Sequence, residues 1–214
     1  MLEARQLECT RGERRLFSGL SFTLSRGQML RVAGANGSGK TSLLRILCGL
    51  VAPSAGEVLW DGRPIRSERE EYSRNLVYVG HLNALKDDLT ALENLQVAAA
   101  LAGMSPDGER VLGGLDRFGV AHCAELPAKV LSQGQRRRVA LAKLALSPHV
   151  PLWILDEPFS ALDVGAVMEL ERLLAAHIAA GGMVVLTTHQ EVEVLAHAVL
   201  RVDLDAYTAV LLAA

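Results

Sequence analysis

The sequence carries almost no surplus of charge: 22 lysines and arginines stand against 24 aspartates and glutamates, for a formal net charge of -2. No basic excess calls for DNA, RNA or an acidic membrane surface, and nucleic acid is not an expected partner. Cysteine is scarce. Cys9, Cys48 and Cys123 are scattered and odd in number, which argues against a disulfide framework or a zinc site and for buried or partly buried free thiols in a reducing compartment. No stretch approaches the ~18 consecutive apolar residues that span a bilayer; the longest candidate, residues 97–104, is short and rich in alanine. The first six residues lack the charged-then-apolar order of a secretory signal. The chain is therefore expected to be soluble and cytoplasmic, and to need another protein to bring it to any membrane where it works. Repeats, low-complexity tracts and a flexible linker are also missing.

Half of the 214 residues are hydrophobic, enough for one domain with a sizeable core. Residues 2–33 read as strands: 20–24 alternate apolar and polar, as a half-buried strand does, and 29–33 are more continuously apolar. A helix is expected over 40–50, a turn at 53–56, a strand over 57–60 closed by Asp61-Gly62, and another strand over 75–79. From 85 to 129 β-branched residues thin out and Ala, Leu and Glu dominate, which predicts an insert of three or four short helices. Beyond it come a helix opened by Ser132 and running to 146, a buried strand over 152–155, a helix over 167–180, a strand over 183–187, a short helix over 191–196, and strands in the C-terminal residues. Strands alternating with helices predict an α/β fold with a mostly parallel sheet covered by helices.

Gly34-Ala35-Asn36-Gly37-Ser38-Gly39-Lys40-Thr41 fits G-x-x-x-x-G-K-[ST] in full, with a strand expected before it and a helix after it. Glycines let the backbone curl so that successive N–H groups face one anion, and the helix N-terminus adds its partial positive charge. Lys40 is expected to reach the β- and γ-phosphates of ATP, and the Thr41 hydroxyl to hold Mg²⁺. Ser42 completes the ATP-binding run. Leu152-Trp153-Ile154-Leu155-Asp156-Glu157 is an apolar strand ending in two carboxylates. It delivers Asp156 to the sheet end where ligands bind, as a second Mg²⁺ ligand. Glu157, one residue on, can orient or deprotonate the attacking water. Met183-Val184-Val185-Leu186-Thr187-Thr188-His189 repeats the design, with His189 placed to hydrogen-bond the γ-phosphate.

A phosphate loop alone does not separate kinases, GTPases, helicases and transport ATPases. Leu131-Ser132-Gln133-Gly134-Gln135 does, opening a helix rich in arginine (Arg136, Arg137, Arg138). Ser132 is a good N-cap, and a helix N-terminus with a serine and a glycine is a second anion site. A second such site makes sense if it serves the nucleotide of another copy, which implies a head-to-tail homodimer with two ATP molecules sandwiched between the copies. With these residues in place, the chain resembles the ATP-binding subunits of ABC transporters over essentially all of residues 1–214, read as a single domain. The resemblance implies a P-loop NTPase with a mixed, mostly parallel sheet, an N-terminal antiparallel β part, and a helical subdomain at 85–130 that meets transmembrane subunits. Leu131 to Gln135 match the family signature, with Gln133 where glycine is common. Ser160-Ala161-Leu162-Asp163 match the loop that connects the two active sites across the dimer, and His189 matches the switch histidine. The resemblance further implies an ATP-driven clamp at the cytoplasmic face of the inner membrane, in which ATP closes the dimer and Mg²⁺-dependent hydrolysis opens it.

Two positions depart from the family pattern. Where a glutamine usually senses Mg²⁺ and touches the transmembrane partner, the sequence reads Leu76-Val77-Tyr78-Val79-Gly80-His81. Imidazole can still hydrogen-bond a metal-bound water, and it titrates near neutrality, which glutamine does not. Where an aromatic residue usually stacks on adenine, Arg11 stands; a guanidinium plane can stack on a base, and Phe17 is near enough in sequence to substitute. The stretch Gly80-His81, the run Leu89-Thr90-Ala91-Leu92-Glu93-Asn94-Leu95, Trp153 to Phe159 and Leu186 to Gln190 are similar to one bacterial subfamily, the ATPase subunits of the cytochrome c maturation system. Members of that subfamily energise a membrane complex that releases a haem-loaded chaperone, so the resemblance implies an indirect link to haem export and to that chaperone. No Cys-x-x-Cys-His run is present, so this chain is not expected to ligate haem itself. The alternatives are an ATPase subunit for another cargo, chosen by the transmembrane partner; a soluble ABC-type regulator, which the absence of a second cassette and of a basic stripe disfavours; and a P-loop kinase, which leaves Leu131 to Gln135 unexplained.

Overall fold

The computed structural model of the chain describes residues 1–104, 107–189 and 199–208. The helix expected over 191–196 and the residues after 208 lie outside these. Strands β1 (Leu2–Arg11) and β2 (Arg14–Leu24) pair antiparallel, and β3 (Met29–Ala33) leads through the glycine loop into α1 (Lys40–Leu47). Helix α1 ends earlier than its apolar pattern suggests, because the chain turns left-handed at Gly49 (φ 70°). Strand β4 (Ala55–Trp60) pairs with β1, and the short β5 (Arg63–Pro64) folds back on it. Both turn residues between them, Asp61 and Gly62, have positive φ, as a tight hairpin turn requires. The six-residue α2 (Arg69–Arg74) is an addition to the expected elements; its buried Tyr72 donates a hydrogen bond to the carbonyl of Leu47 at 2.6 Å.

Strand β6 (Leu76–Val79) is followed by helices α3 (Ala91–Leu101) and α4 (Gly108–Arg117) and two short 3-10 turns, which fill the segment expected to be helical. Thr90 caps α3 in a reciprocal box with Glu93, and Asp107 caps α4. Helix α5 (Gln133–Leu146) runs against both α3 and α4. Strand β7 (Leu152–Asp156), helix α6 (Val164–Ala179), β8 (Met183–Thr187), β9 (Val199–Asp203) and a 3-10 turn (Leu204–Tyr207) complete the described elements. Helix α6 begins at Val164, ahead of the expected 167, because Asp163 accepts the Ala166 N–H at 2.8 Å and so caps it.

The α/β architecture expected from the sequence is present, with its parallel and antiparallel parts in separate sheets. The antiparallel sheet has the order β2-β1-β4-β5, and the parallel one the order β6-β7-β8-β3-β9. Strands β7 and β8 are buried on both faces. Trp153, Leu155, Val184 and Leu186 pack into the core under α3 to α6. Leu152, Ile154, Met183 and Val185 pack on the other side, with α1 and the antiparallel sheet. Burial on both faces is why these strands read as unbroken apolar runs. It also fixes their register, which places Asp156 opposite Thr187 at the carboxyl end of the sheet.

Candidate active site

The glycine loop leaves β3 at that same carboxyl end. Gly34, Gly37 and Gly39 lie at φ 139°, 80° and 105°, conformations closed to most side chains. Gly39 also answers a packing demand. A Cβ there would stand 3.1 Å from the Leu16 Cβ and 3.2 Å from the Phe17 ring, so β2 backs directly onto the loop. The Lys40 ammonium donates to the carbonyls of Gly34 at 2.7 Å and Ala35 at 3.1 Å. From the opposite side, Asp205, in the turn after β9, accepts the Ala35 N–H at 2.9 Å. Asp205 was not among the residues the sequence singled out: 170 positions separate it from its partner, and no local pattern marks it.

Asp156 ends β7 at 2% exposure. Its Oδ1 accepts the Thr187 hydroxyl at 2.9 Å, and the same Thr187 Oγ1 accepts the Glu157 N–H at 2.9 Å. Thr187 thus orients both acids at once. Asp156 Oδ2 is buried without a hydrogen-bond partner among the described residues, and such an oxygen is costly to leave unpaired. Glu157 adopts a left-handed φ of 47°, a strain found where neighbours over-determine the backbone. Its carboxylate accepts the His189 N–H at 3.3 Å, and the His189 Nε2 lies 3.4 Å from its Oε1.

A cavity of about 470 Å³ gathers these groups. The loop side supplies Asn36, Gly37, Gly39, Lys40, Thr41 and Ser42; the strand ends supply His81, Asp156, Glu157 and His189; Arg11 and Arg14 stand at another wall. Arg14 is an addition to the expected set. Phe17 is a correction: it is fully buried behind Gly39 and cannot present its ring to a base. The donor set fits a hard divalent cation. Mg²⁺ beside phosphates takes one or two carboxylates and completes its shell with phosphate and water oxygens; Asp156, whose Oδ2 is unpaired among the described residues, and Thr41 both line this cavity. It needs no cluster of three or more His, Cys, Asp or Glu side chains, and none occurs among the described residues. A roomier recess of about 600 Å³ by Ile46, Leu50, Pro53 and Arg66 holds neither a histidine nor a hydroxyl and has no comparable convergence.

Leu131 to Gln135 do not border their own chain's cavity. Ser132 is exposed and caps α5: its hydroxyl accepts the Gln135 N–H at 3.2 Å, while its own N–H donates to Gln135 Oε1 at 2.8 Å. The absent side chain of Gly134 lets the carbonyl of Ala161 approach; a Cβ would meet it at 3.2 Å. The segment Ser160 to Asp163 therefore packs on the start of α5, and Asp163 pairs with Arg138 at 3.3 Å.

The most heavily engaged side chain near the site is Arg137, 4% exposed. Its Nη1 donates to the carbonyl of Gly80 at 2.8 Å and to Asn83 Oδ1 at 3.2 Å; its Nη2 donates to the carbonyls of Asp156 at 2.9 Å and Glu157 at 2.7 Å. Burial lowers its pKa, opposed by the negative charges of Asp156 and Glu157.

The family profile described as ABC transporter matches residues 17–160. Among curated proteins, the chain is 56% identical over 191 residues to the cytochrome c biogenesis ATP-binding export protein CcmA of Aromatoleum aromaticum, covering 89% of each chain. It is 48% identical over 204 residues to the protein of that name from Escherichia coli K12, covering 95% of this chain and 96% of that one. Among solved structures, a dimeric bacterial ABC transporter cassette superposes with a TM-score of 0.83 at 25% identity, covering 95% of each. An ATP-binding cassette in a dimeric post-hydrolysis state bound to ADP and Pi superposes with a TM-score of 0.79 at 26% identity, covering 89% of this chain and 88% of that one.

Proposed function

This chain belongs to the ABC transporter family, and from that premise we propose that its ATP hydrolysis powers a membrane complex of cytochrome c biogenesis that releases a haem-loaded chaperone. ATP hydrolysis coupled to transport is the family's activity. The observation that carries the site assignment is the convergence of Lys40, Thr41, Asp156, Glu157 and His189 on one cavity at the carboxyl ends of parallel strands. The cytochrome c part rests on the relatives named for that process.

In this reading the N–H groups of residues 34–42 and the start of α1 cradle the phosphates. Lys40 exchanges its hold on the loop carbonyls for the β- and γ-phosphate oxygens. Thr41 and Asp156 would hold Mg²⁺, with His81 hydrogen-bonded to its water; when bound, the ion offsets the charge developing on the phosphate oxygens. Glu157, fixed by Thr187 and by the His189 N–H, orients the attacking water and draws off its proton. His189 contacts the γ-phosphate from its place beside Glu157. Arg11, with Arg14, forms the wall for the base, and stacking on a guanidinium gives loose base specificity.

The signature residues Ser132 and Gly134 complete the site of a second copy, with Ser160 to Asp163 linking the two sites. Their position outside their own chain's cavity supports this, as do the dimeric cassettes among the structural neighbours. Residues 85–130 form the subdomain that docks transmembrane subunits at the cytoplasmic face of the inner membrane. No helix among the described residues is long and apolar enough to cross a membrane, in keeping with a peripheral subunit. In the assembled complex, EDTA is expected to abolish hydrolysis and added Mg²⁺ to restore it. Asp156→Asn is expected to raise the half-activating Mg²⁺ concentration at least about tenfold, because a neutral amide replaces the one carboxylate in the ligand set. An unchanged Mg²⁺ requirement in that variant would remove Asp156 from the metal site.

A further inference from the structure

Arg137 stands apart from the two arginines that flank it. Arg136 binds Asp87 at 2.7 Å and the carbonyl of Ala128 at 2.8 Å, and Arg138 binds Asp163 at 3.3 Å. Each of those carries one ion pair with a carboxylate that is more than half exposed, the kind of contact that contributes little. Arg137 is buried and makes no carboxylate ion pair among the described residues; all of its acceptors are neutral oxygens on two separate segments. One nitrogen holds the loop after β6, through Gly80 and Asn83. The other holds the peptides of Asp156 and Glu157 at the end of β7. The guanidinium is one rigid plane, so neither segment can shift without breaking bonds on the other. The grip falls on a strained residue. The carbonyl of Glu157 is bound by Arg137 and its N–H by Thr187, so both flanks of its left-handed φ are held. A small cavity of about 40 Å³ is lined by His81, Gln133, Ser160 and Ala161 together with Arg137 and Asn83. The arginine that opens this junction sits on the helix that Ser132 caps.

We infer that Arg137 is a positioning residue that makes the loop carrying His81 and the peptide carrying Glu157 move as one body. Through it, displacement of the His81 loop by a docked partner reaches the water-orienting carboxylate without passing through the phosphate loop, to which Arg137 makes no bond. This rests on the reading of Glu157 as the group that orients water.

The test is a double-mutant cycle on the assembled membrane complex, with His81→Ala, Arg137→Lys and the pair, measuring kcat and KM for ATP alongside the affinity for a fluorescent ATP analogue. A lysine has one ammonium and cannot span both segments. Arg137→Lys is expected to lower kcat at least about tenfold with KM and analogue affinity within about threefold, a change confined to the bound complex. His81→Ala is expected to lower kcat in the wild-type background and to have at least about fivefold less effect beside Arg137→Lys. Independent, multiplicative effects, an inert His81→Ala, or a raised KM with unchanged kcat would each overturn the inference. If Arg137→Lys fails to assemble, Asn83→Ala takes its place in the cycle. It removes one acceptor on the loop side and leaves no charge newly buried without partners, and multiplicative effects there overturn the inference equally. Glu157→Gln is measured in parallel. If it hydrolyses ATP normally, the reading of Glu157 fails and the inference with it; if it is inactive while the cycle is multiplicative, the inference alone fails.

Discussion

Glu157→Gln is expected to slow ATP hydrolysis by at least about a hundredfold while ATP still binds. The substitution is close to isosteric. The amide oxygen can accept the His189 N–H as the carboxylate does at 3.3 Å, and glutamine suffers no greater strain than glutamate at a φ of 47°. Lys40, Thr41 and Asp156 are untouched. What disappears, in the proposed mechanism, is the basic oxygen that draws a proton from water. Because ATP then persists, the head-to-tail pair should persist as well. Size-exclusion chromatography with Mg²⁺ and ATP is expected to show the variant shifting from monomer to dimer, and ADP is expected to leave it monomeric. Hydrolysis within threefold of wild type would take Glu157 out of the chemistry. Failure to associate at any ATP concentration would refute the sandwich, and Ser132 would then be a helix cap and nothing more.

Gly56→Ala is expected to be strongly destabilising. Gly56 lies in β4 at φ 80°, and a Cβ there would stand 2.3 Å from the carbonyl oxygen of Gln6 and 2.4 Å from that of Arg5. These are main-chain atoms of the paired strand and cannot rotate aside. At that point β1 breaks its register between Arg5 and Glu8, with Gln6 itself at φ 48°. The two left-handed residues face each other across the irregularity. A cost of at least about 3 kcal/mol follows from adding a backbone clash to the left-handed strain, a fall in Tm of about 6–12 °C for a chain of this size. Gly62→Ala is the control: its φ is also 80°, but nothing lies within 4 Å of the added Cβ, so only the conformational cost of about 1 kcal/mol applies. Equal losses in the two variants would mean that the close crossing of β1 and β4 does not matter. The consequence reaches the site, since β1 and β2 carry Arg11 and the Leu16-Phe17 step behind Gly39.

Gly56 also shows where the sequence stops short. Next to Pro53 and Ser54 it reads as a turn residue, and only the long-range pairing of β4 with β1 reveals that it lets two backbones touch. By contrast, Asp156, Glu157 and His189 follow from one local fact. A strand buried on both faces is an unbroken apolar run, and the first polar residues after it stand at the sheet's carboxyl end. The phosphate loop was as plain, because its geometry is written in contiguous glycines. Asp205 was not accessible in this way, since its hydrogen bond to Ala35 spans 170 residues. Arg137 was, in principle. It shares a helical stripe with Leu141 and Leu144, four and seven positions on, and all three are buried. An arginine on the apolar stripe of an amphipathic helix is a buried charge in need of partners; noted only as one of three consecutive arginines, Arg137 was not separated from its neighbours in the sequence.

The most direct test of the central claim is made in cells. The chromosomal copy is replaced by a Lys40→Ala version, which removes the only side-chain ammonium in the phosphate cavity among the described residues, and membranes are stained for covalently bound haem. Loss of c-type cytochromes with b-type haemoproteins retained is the result expected if ATP hydrolysis here drives cytochrome c biogenesis. Normal c-type cytochromes, with the variant protein present at wild-type level, would contradict that role and leave a transport ATPase for another cargo.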